Sequence, residues 1–347
     1  MNKIALFFGG KISQHLVMLK KAAKKMGVRL DLVSYNRVTF DTEKLKIKIR
    51  GNLKNGVENK VKNEGWLDIN DYDVLFFRTT GKHWEEVDLI LRQAQDHQVV
   101  VDPIVQSGKP SMACKAYQML KLREAGIEVP KTVYGSLWYL FEIMEQSQRS
   151  FVGAHTCVSH APAVLQKRPF APFEFPVIIK GSGGDRGTRV FKAENLKELE
   201  ELVLKLRSSE TEEGKRYMLQ EYIPNDGDYR VLVLGNKVLG VMKRSSQKAG
   251  EFRNNYSAGG TVEIADLPEE IKQLAVRAAE VCGLAVAGVD VAFRDFDETK
   301  PVIWEVNKGP QFRGFMKATG IDVPTEIVKF LASIPLNLPL TRETLII

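Results

Sequence analysis

Asp290, Glu305 and Asn307 are the residues of this 347-residue chain whose types and spacing point most directly to chemistry. Glu305 and Asn307 stand two apart in the apolar stretch Pro301–Val306, which reads as a strand, so both side chains project to one face while Val306 turns to the core. Asp290 interrupts a second apolar run, Ala287–Phe293. If the two strands are neighbours, three hard oxygen donors share a patch, which suits Mg²⁺ held jointly with nucleotide phosphates. On spacing alone the same residues also read as acids at solvent-facing strand ends. A second signal is the run Gly181-Ser182-Gly183-Gly184-Asp185-Arg186-Gly187 after a strand ending in Lys180. Glycines let backbone N–H groups approach phosphate oxygens. The run lacks a GK[ST] ending and is not a Walker A motif; alone, it is equally a hairpin turn. Lys115 lies near a helix start, where a cation is unfavourable against the helix dipole unless an anion compensates. Lys115 and Lys180, taken singly, also read as surface lysines. The basic and polar segment from Lys243-Arg244 to Arg253-Asn254-Asn255 suits a clamp on a triphosphate or anionic substrate, or a surface loop. His155, Cys157 and His160 show no fourth ligand, and Ser13, His15 and Asp31 follow no hydrolase triad order.

The totals narrow the classes. With 44% hydrophobic and 27% charged residues the chain is an ordinary globular sequence, long enough for two or three domains. Its three cysteines, at 114, 157 and 282, include no CxxC pair, which argues against a disulfide framework or structural zinc and fits a reducing, cytoplasmic setting. Met1–Gly10 reads as a first strand running into a glycine turn, not as a secretion signal, and no apolar run approaches the roughly 20 residues of a bilayer span. The formal net charge is +7, but the basic residues are spread out and no nucleic-acid motif with interleaved aromatics is present. Small anions, phosphates and carboxylates, are the expected partners, with neither nucleic acid nor membrane.

The elements that must position these residues follow from periodicity. Residues 1–108 alternate strand and helix: strands at Lys3–Phe8, Leu30–Tyr35, Asp73–Phe77 and Val99–Val101, helices at Gln14–Met26 and Trp84–Gln95, and an inserted hairpin in Phe40–Val61. This is a Rossmann-like parallel arrangement, although Gly9-Gly10 lacks the full dinucleotide fingerprint. Residues 109–215 hold helices at 112–126, 136–146 and Leu196–Arg207, strands at Val177–Lys180 and Arg189–Lys192, and a polar loop at Ser208–Lys215. Residues 147–175 are irregular in this reading. Residues 216–347 hold strands at Tyr217–Tyr222, Arg230–Leu234, Lys237–Lys243, Ala287–Phe293 and Pro301–Val306, with a helix at Glu269–Cys282.

The order of these signals resembles the ATP-grasp superfamily, and within it the RimK-like carboxylate–amine ligases. The stretches that carry the resemblance are KAYQMLKLREAGIEVP, FPVIIKGSGGDRG, QEYIPNDGDYRVLVLGNKVLG, GEFRNNYSAGG, AGVDVAF and VIWEVNKGP with GFMKATGIDV after it. They run from near Lys115 over the last two-thirds of the chain. The resemblance implies an α/β chain, α+β in its catalytic part: a Rossmann-like pre-ATP-grasp domain (1–108), a small lid subdomain with the glycine loop (109–215) and a large subdomain with the metal site (216–347). It implies an ATP- and Mg²⁺-dependent ligase, Mn²⁺ being an alternative ion, that joins a carboxylate to an amine through an acyl phosphate and releases ADP and phosphate. An ATP-grasp kinase and a non-catalytic nucleotide-binding module are the alternatives.

The resemblance also assigns roles. Lys115, Lys180, Gly183 and Gly184 match the nucleotide lysines and phosphate loop, and Gln220, Glu221 and Tyr222 the adenine hinge. Asp228 stands where an acid binds the ribose or nearby, and Lys243, Arg253, Asn254 and Asn255 stand on the phosphate side. Asp290, Glu305 and Asn307 match the metal ligands, and Arg230 and Arg253 are the candidates for steadying the transferring phosphoryl group. After Asn307 the chain departs from the family's small residues with Lys308-Gly309-Pro310-Gln311-Phe312-Arg313. Lys308 and Arg313 therefore suggest a substrate with an extra carboxylate or phosphate. The expected substrate is an amino acid, a peptide or a protein tail, and the expected assembly a homo-oligomer. The long stretch Phe151 to Glu174 reads as a substrate lid or a subunit contact.

Overall fold

The computed structural model describes residues 2–42, 46–50, 66–108, 114–154, 173–183, 189–246 and 260–336, the side chains of 46–50, 66 and 149–154 excepted. Seven strands open the chain: β1 (Ile4–Phe8), β2 (Leu30–Ser34), β3 (Val38–Asp41), β4 (Lys46–Arg50), β5 (Trp66–Leu67), β6 (Val74–Phe77) and β7 (Val99–Val100). Four form a parallel sheet in the order β2-β1-β6-β7. Every residue of β1 is buried, as a parallel strand covered on both faces requires. Helix α1 (Gln14–Lys25) joins β1 to β2; the Ser13 hydroxyl caps it by accepting the Leu16 N–H at 3.4 Å. Helix α2 (Trp84–Gln93) joins β6 to β7. The strand order reverses between β1 and β6, which leaves a crevice beyond their C-terminal ends. Gly9 lies there, and a Cβ on it would collide with the His83 ring. The expected hairpin insertion is a three-stranded antiparallel sheet, β3-β4-β5, and its Asn55-Gly56 turn lies outside the described residues.

Helix α3 (Lys115–Glu124) leads to a second antiparallel sheet, ordered β10-β9-β11-β8. Its strands are β8 (Thr132–Gly135), β9 (Val177–Gly181), β10 (Val190–Ala193) and β11 (Tyr217–Glu221). Helices α4 (Leu137–Ala154) and α5 (Leu196–Thr211) cover one face. Both run past their expected ends. In α5 the Thr211 hydroxyl bonds back to the Arg207 carbonyl at 3.0 Å, so a polar, solvent-facing turn that reads as a loop remains helical. The sequence divides at 215/216 on resemblance, whereas β11 pairs with β9 and β8; the change of sheet therefore falls between Glu221 and Asp228.

The third sheet is antiparallel, β14-β13-β12-β15-β16, built from β12 (Asp228–Leu234), β13 (Lys237–Ser245), β14 (Thr261–Ala265), β15 (Val286–Phe293) and β16 (Pro301–Lys308). Helix α6 (Glu269–Val281) packs on it, followed at the end by α7 (Arg313–Thr319) and α8 (Val323–Ser333). The signal for α8 is present in the sequence: Asp322 caps it, Pro324 sits in its first turn, and Val323, Ile327, Val328 and Leu331 form its buried stripe. Core contacts tie the first and third sheets together, Phe7, Tyr35 and Phe77 clustering with Val231, Val289 and Ala279. The middle sheet closes over a separate core of Leu140, Met144, Ile179, Leu199 and Leu219. Among the described residues no helix is long and apolar enough to cross a membrane.

Candidate active site

The two strands that carry the candidate oxygen donors are neighbours. Asp290 on β15 lies opposite Glu305 on β16, and Gly288 lies opposite Asn307. A register shift between Asp290 and Val291 makes this possible, because beyond it Val291 pairs with Ile303. Continuing that outer register would set Asp290 against Trp304 and turn Glu305 and Asn307 to the other face. The bulge restores all three to one face, and bulges commonly serve active sites in this way.

Glu305 is the meeting point of two subdomains. Lys115 Nζ, at the start of α3, lies 3.0 Å from its Oε1, and Lys180 Nζ, on β9, lies 3.2 Å from its Oε2. All three side chains are less than one-fifth exposed. Burial alone would raise the Glu305 carboxyl, but the two ammonium groups, Lys115 foremost, hold it far below the ordinary carboxylate range. Burial lowers Lys180, and Glu305 opposes that shift. Backbone bonds fix the convergence: Lys115 N–H donates to the Ser182 carbonyl at 3.0 Å, which ties the head of α3 to the end of β9. Gln118, one turn on, donates to the Val306 carbonyl at 2.8 Å and accepts the Val306 N–H at 3.2 Å. β16 is an edge strand, and this amide serves it as a neighbouring strand would.

Asp290 is held differently. Arg230, on β12, forms a bidentate pair with it at 2.7 Å for each bond. Arg244 Nη2 reaches it at 3.1 Å, and Asn307 Nδ2 donates to it at 3.1 Å. Burial pushes Asp290 up, but the Arg230 and Arg244 guanidiniums overcome this and keep it ionised. Asp228 lies behind, bidentate to Arg244 at 2.6 and 2.8 Å. Burial, with the adjacent Asp290 charge, pushes the Asp228 carboxyl up. Arg244 is thus shared by two buried acids.

The other assigned residues are distributed as follows. Glu221 accepts two bonds from Arg294, at 2.7 and 3.1 Å, and one from Lys131 N–H at 2.8 Å. Its carboxylate therefore links the middle sheet to the turn after β15. Gln220 is buried and donates to the Thr132 hydroxyl at 2.8 Å. Lys192 Nζ stands 4.0 Å over the Tyr222 ring. Lys243 pairs with Asp226 at 2.9 Å. Gly183 is exposed at the end of the β9 turn. Lys308 is partly buried at the end of β16, whereas Arg313 is exposed at the head of α7. Gly184, Arg253, Asn254 and Asn255 lie outside the described residues, as do His155, Cys157, His160 and most of 151–174. Gln118 and Arg294 are site residues that sequence reasoning does not reach, and Arg244, which reads as part of an anion clamp, instead holds two acids of the chain itself; each acts through a partner set by strand register or helix docking.

The donor set fits a divalent metal of the hard class. Asp290, Glu305 and Asn307 offer oxygen ligands from one face of two neighbouring strands, and the Lys115 and Lys180 ammonium groups now neutralise the Glu305 carboxylate that a cation would meet.

Comparison with known proteins identifies the family. A model of the RimK-like ATP-grasp domain matches residues 155–331. The chain is 34% identical over 179 residues to the probable alpha-L-glutamate ligase of Syntrophotalea carbinolica, which is 51% of this chain and 57% of that protein. It is 39% identical over 158 residues to probable alpha-L-glutamate ligase 1 of Shewanella frigidimarina, 45% of this chain and 50% of that protein. The chain thus spans about half the length of the curated relatives it matches. Among solved structures, the ATP-grasp ligase PsnB with its minimal precursor superposes with a TM-score of 0.62 at 18% identity, over 96% of this chain and 98% of that one. The RimK domain ATP-grasp protein of Sphaerobacter thermophilus gives 0.61 at 17%, over 94% and 98%. These last two likenesses concern the fold alone. With its matched domain covering half of its length, the chain belongs to the RimK-like ATP-grasp family.

Proposed function

We propose that the protein is an ATP-dependent ligase that joins a carboxylate to an amine, forming an acyl phosphate and ADP before the amine displaces phosphate. The observation that carries this reading is the convergence of Lys115 and Lys180 on Glu305, beside Asp290 and Asn307. Asp290, Glu305 and Asn307 would hold Mg²⁺, with Mn²⁺ as a substitute, and the bound ion would neutralise charge on the phosphates of ATP. Lys115 and Lys180 would turn from Glu305 to the phosphates. Arg230, fixed by its bidentate bond to Asp290, would steady the transferring phosphoryl group, a role we also assign to Arg253. Gln220, Glu221 and Tyr222 would border the base, with Asp228, Lys243, Asn254 and Asn255 completing the nucleotide side and Gly183 and Gly184 the closing loop. The named relatives support an amino acid or a peptide as substrate. A cytoplasmic homo-oligomer is the setting we assign.

The test is incubation with Mg-ATP and pools of amino acids and short peptides. ADP must form only when carboxylate and amine are both present, with a product lighter than their sum by one water. EDTA must stop it. ADP with a phosphorylated product and no amide would instead make the protein a kinase.

A further inference from the structure

Both oxygens of Glu305 are taken by cations of the chain itself. Lys115 Nζ lies against Oε1 and Lys180 Nζ against Oε2, and among the described residues each ammonium makes this one contact. Asp290 is equally engaged: Arg230 bonds both of its oxygens, and Arg244 and Asn307 share its Oδ2. Asn307 turns its amide nitrogen to Asp290 and to the Gly288 carbonyl, at 3.1 and 3.3 Å, so its oxygen is the end left for a cation. With Asp228, three acids are enclosed by four cations, Lys115, Lys180, Arg230 and Arg244. With every group ionised, this cluster carries one positive charge. A divalent ion coming from water meets no net attraction there, whereas a polyphosphate does. Arg230 and Arg244 each hold an acid through paired bonds of a planar fork. The two lysines instead end flexible stems and are held by single bonds, so they are the cations that can leave.

We propose that Lys115 and Lys180 keep the Asp290, Glu305 and Asn307 set closed to free divalent ions, occupying Glu305 as the metal would, until a polyphosphate draws them off. Metal and ammonium compete for the same two oxygens of Glu305. Phosphate and Glu305 compete for the same two ammonium groups. Nucleotide therefore removes the metal's competitor, and metal removes the nucleotide's, a coupling that is reciprocal and adds to the direct attraction between the two ligands. One substitution must then act with opposite sign on the two: loss of a lysine tightens the metal and weakens the nucleotide. A lysine that only braced the fold would weaken both.

The inference takes the places of metal and nucleotide from the ligase reading, but binding tests it without turnover. The full-length protein, free of nucleotide, is titrated with Mn²⁺, the free ion being followed by its paramagnetic resonance signal, and separately with ATP in EDTA. Lys115→Met and Lys180→Met should each bind Mn²⁺ about fivefold or more tightly than the native protein, and metal-free ATP about tenfold or more weakly. Lys180→Arg keeps a cation at Glu305 and should leave Mn²⁺ binding within about twofold of native. Adding Glu305→Gln to Lys180→Met should abolish the gain. Removing an ammonium leaves a buried carboxylate less well paired, so the variants are also unfolded in urea with and without Mn²⁺. The ion should raise the midpoint of the lysine variants more than that of the native protein, because it binds their folded state more tightly. Failure of both variants to gain Mn²⁺ affinity, or a gain that persists without Glu305, overturns the proposal. A gain in one variant alone would assign the closure to that lysine and overturn it for the other. Opposite effects on the two ligands, in a protein that forms no amide from any pool, would support the proposal and remove the ligase reading. Amide formation by the native protein, with no gain in either variant, would do the reverse.

Discussion

At the scale of single residues, Glu305 decides most. It is the common partner of the two lysines and the centre of the donor set. Glu305→Gln keeps the shape and removes the charge, and should cut ADP formation by about 100-fold or more, since even partners of metal ligands are worth 10–100-fold. The same variant carries a pH signature. The folded carboxyl is held far below its unfolded value of about 4.3, so its contribution to stability is complete above that value and is lost as pH falls toward the folded one. The stability gap between native and Glu305→Gln protein, followed by urea denaturation, should therefore shrink as pH drops below about 4. Arg244→Met is a second case. It leaves Asp228 and Asp290 facing each other in a buried site and should cost about 3–5 kcal/mol in the same assay. Pairing it with Asp228→Asn should recover part of that loss. Asp290, Glu305 and Asn307 were legible in the sequence because a polar residue inside an apolar strand must have a reason. Arg244 was not. Counting back from the Gly235-Asn236 turn, which pairs Leu234 with Lys237, sets Asp228 opposite Lys243. A shift between Leu232 and Val233 moves Asp228 to Arg244 instead, and no residue type announces it.

At the scale of elements, the long periodic segments followed their patterns and the edges did not. β1 is a continuous apolar run, β9 and β15 are apolar but for Lys180 and Asp290, and all three fold as their hydropathy demands. β14 is an exposed edge strand with Ile264 on its surface, so it lacks the burial that gives a strand its signature. Gln118 shows how an edge is finished by an unrelated element. On α3 it reads as one more polar residue of a helix face, yet it completes both backbone bonds of Val306. Gln118→Leu should leave that N–H and carbonyl unpaired and cost about 1–3 kcal/mol. It should also lower kcat, because Glu305 is the residue next to the released one. Gln118→Glu, which can accept but not donate, should retain part of both. A stability loss without a kcat loss would show that Gln118 anchors the helix and does not place Glu305.

At the scale of the whole molecule, the division of cores sets what can move. The first and third sheets share their buried clusters, whereas the middle sheet packs against α4 and α5 over its own. The two parts meet through polar ties: Lys180 to Glu305 on one side and Glu221 to Arg294 on the other. Exchanging such ties for others costs little compared with opening a core. We therefore predict that the middle sheet can swing as a body if the lysines leave Glu305. Leu219 tests this independence. It is fully buried at the centre of the middle core, and Leu219→Ala should cost about 2–5 kcal/mol through lost contact and residual cavity. Because the cores are separate, hydrogen exchange should accelerate across 132–221 and remain near native across 228–308. Equal acceleration in both would mean that the sheets unfold as one unit. The lysine exchange would then have to proceed by side-chain rotation within a closed frame, without movement of a lid.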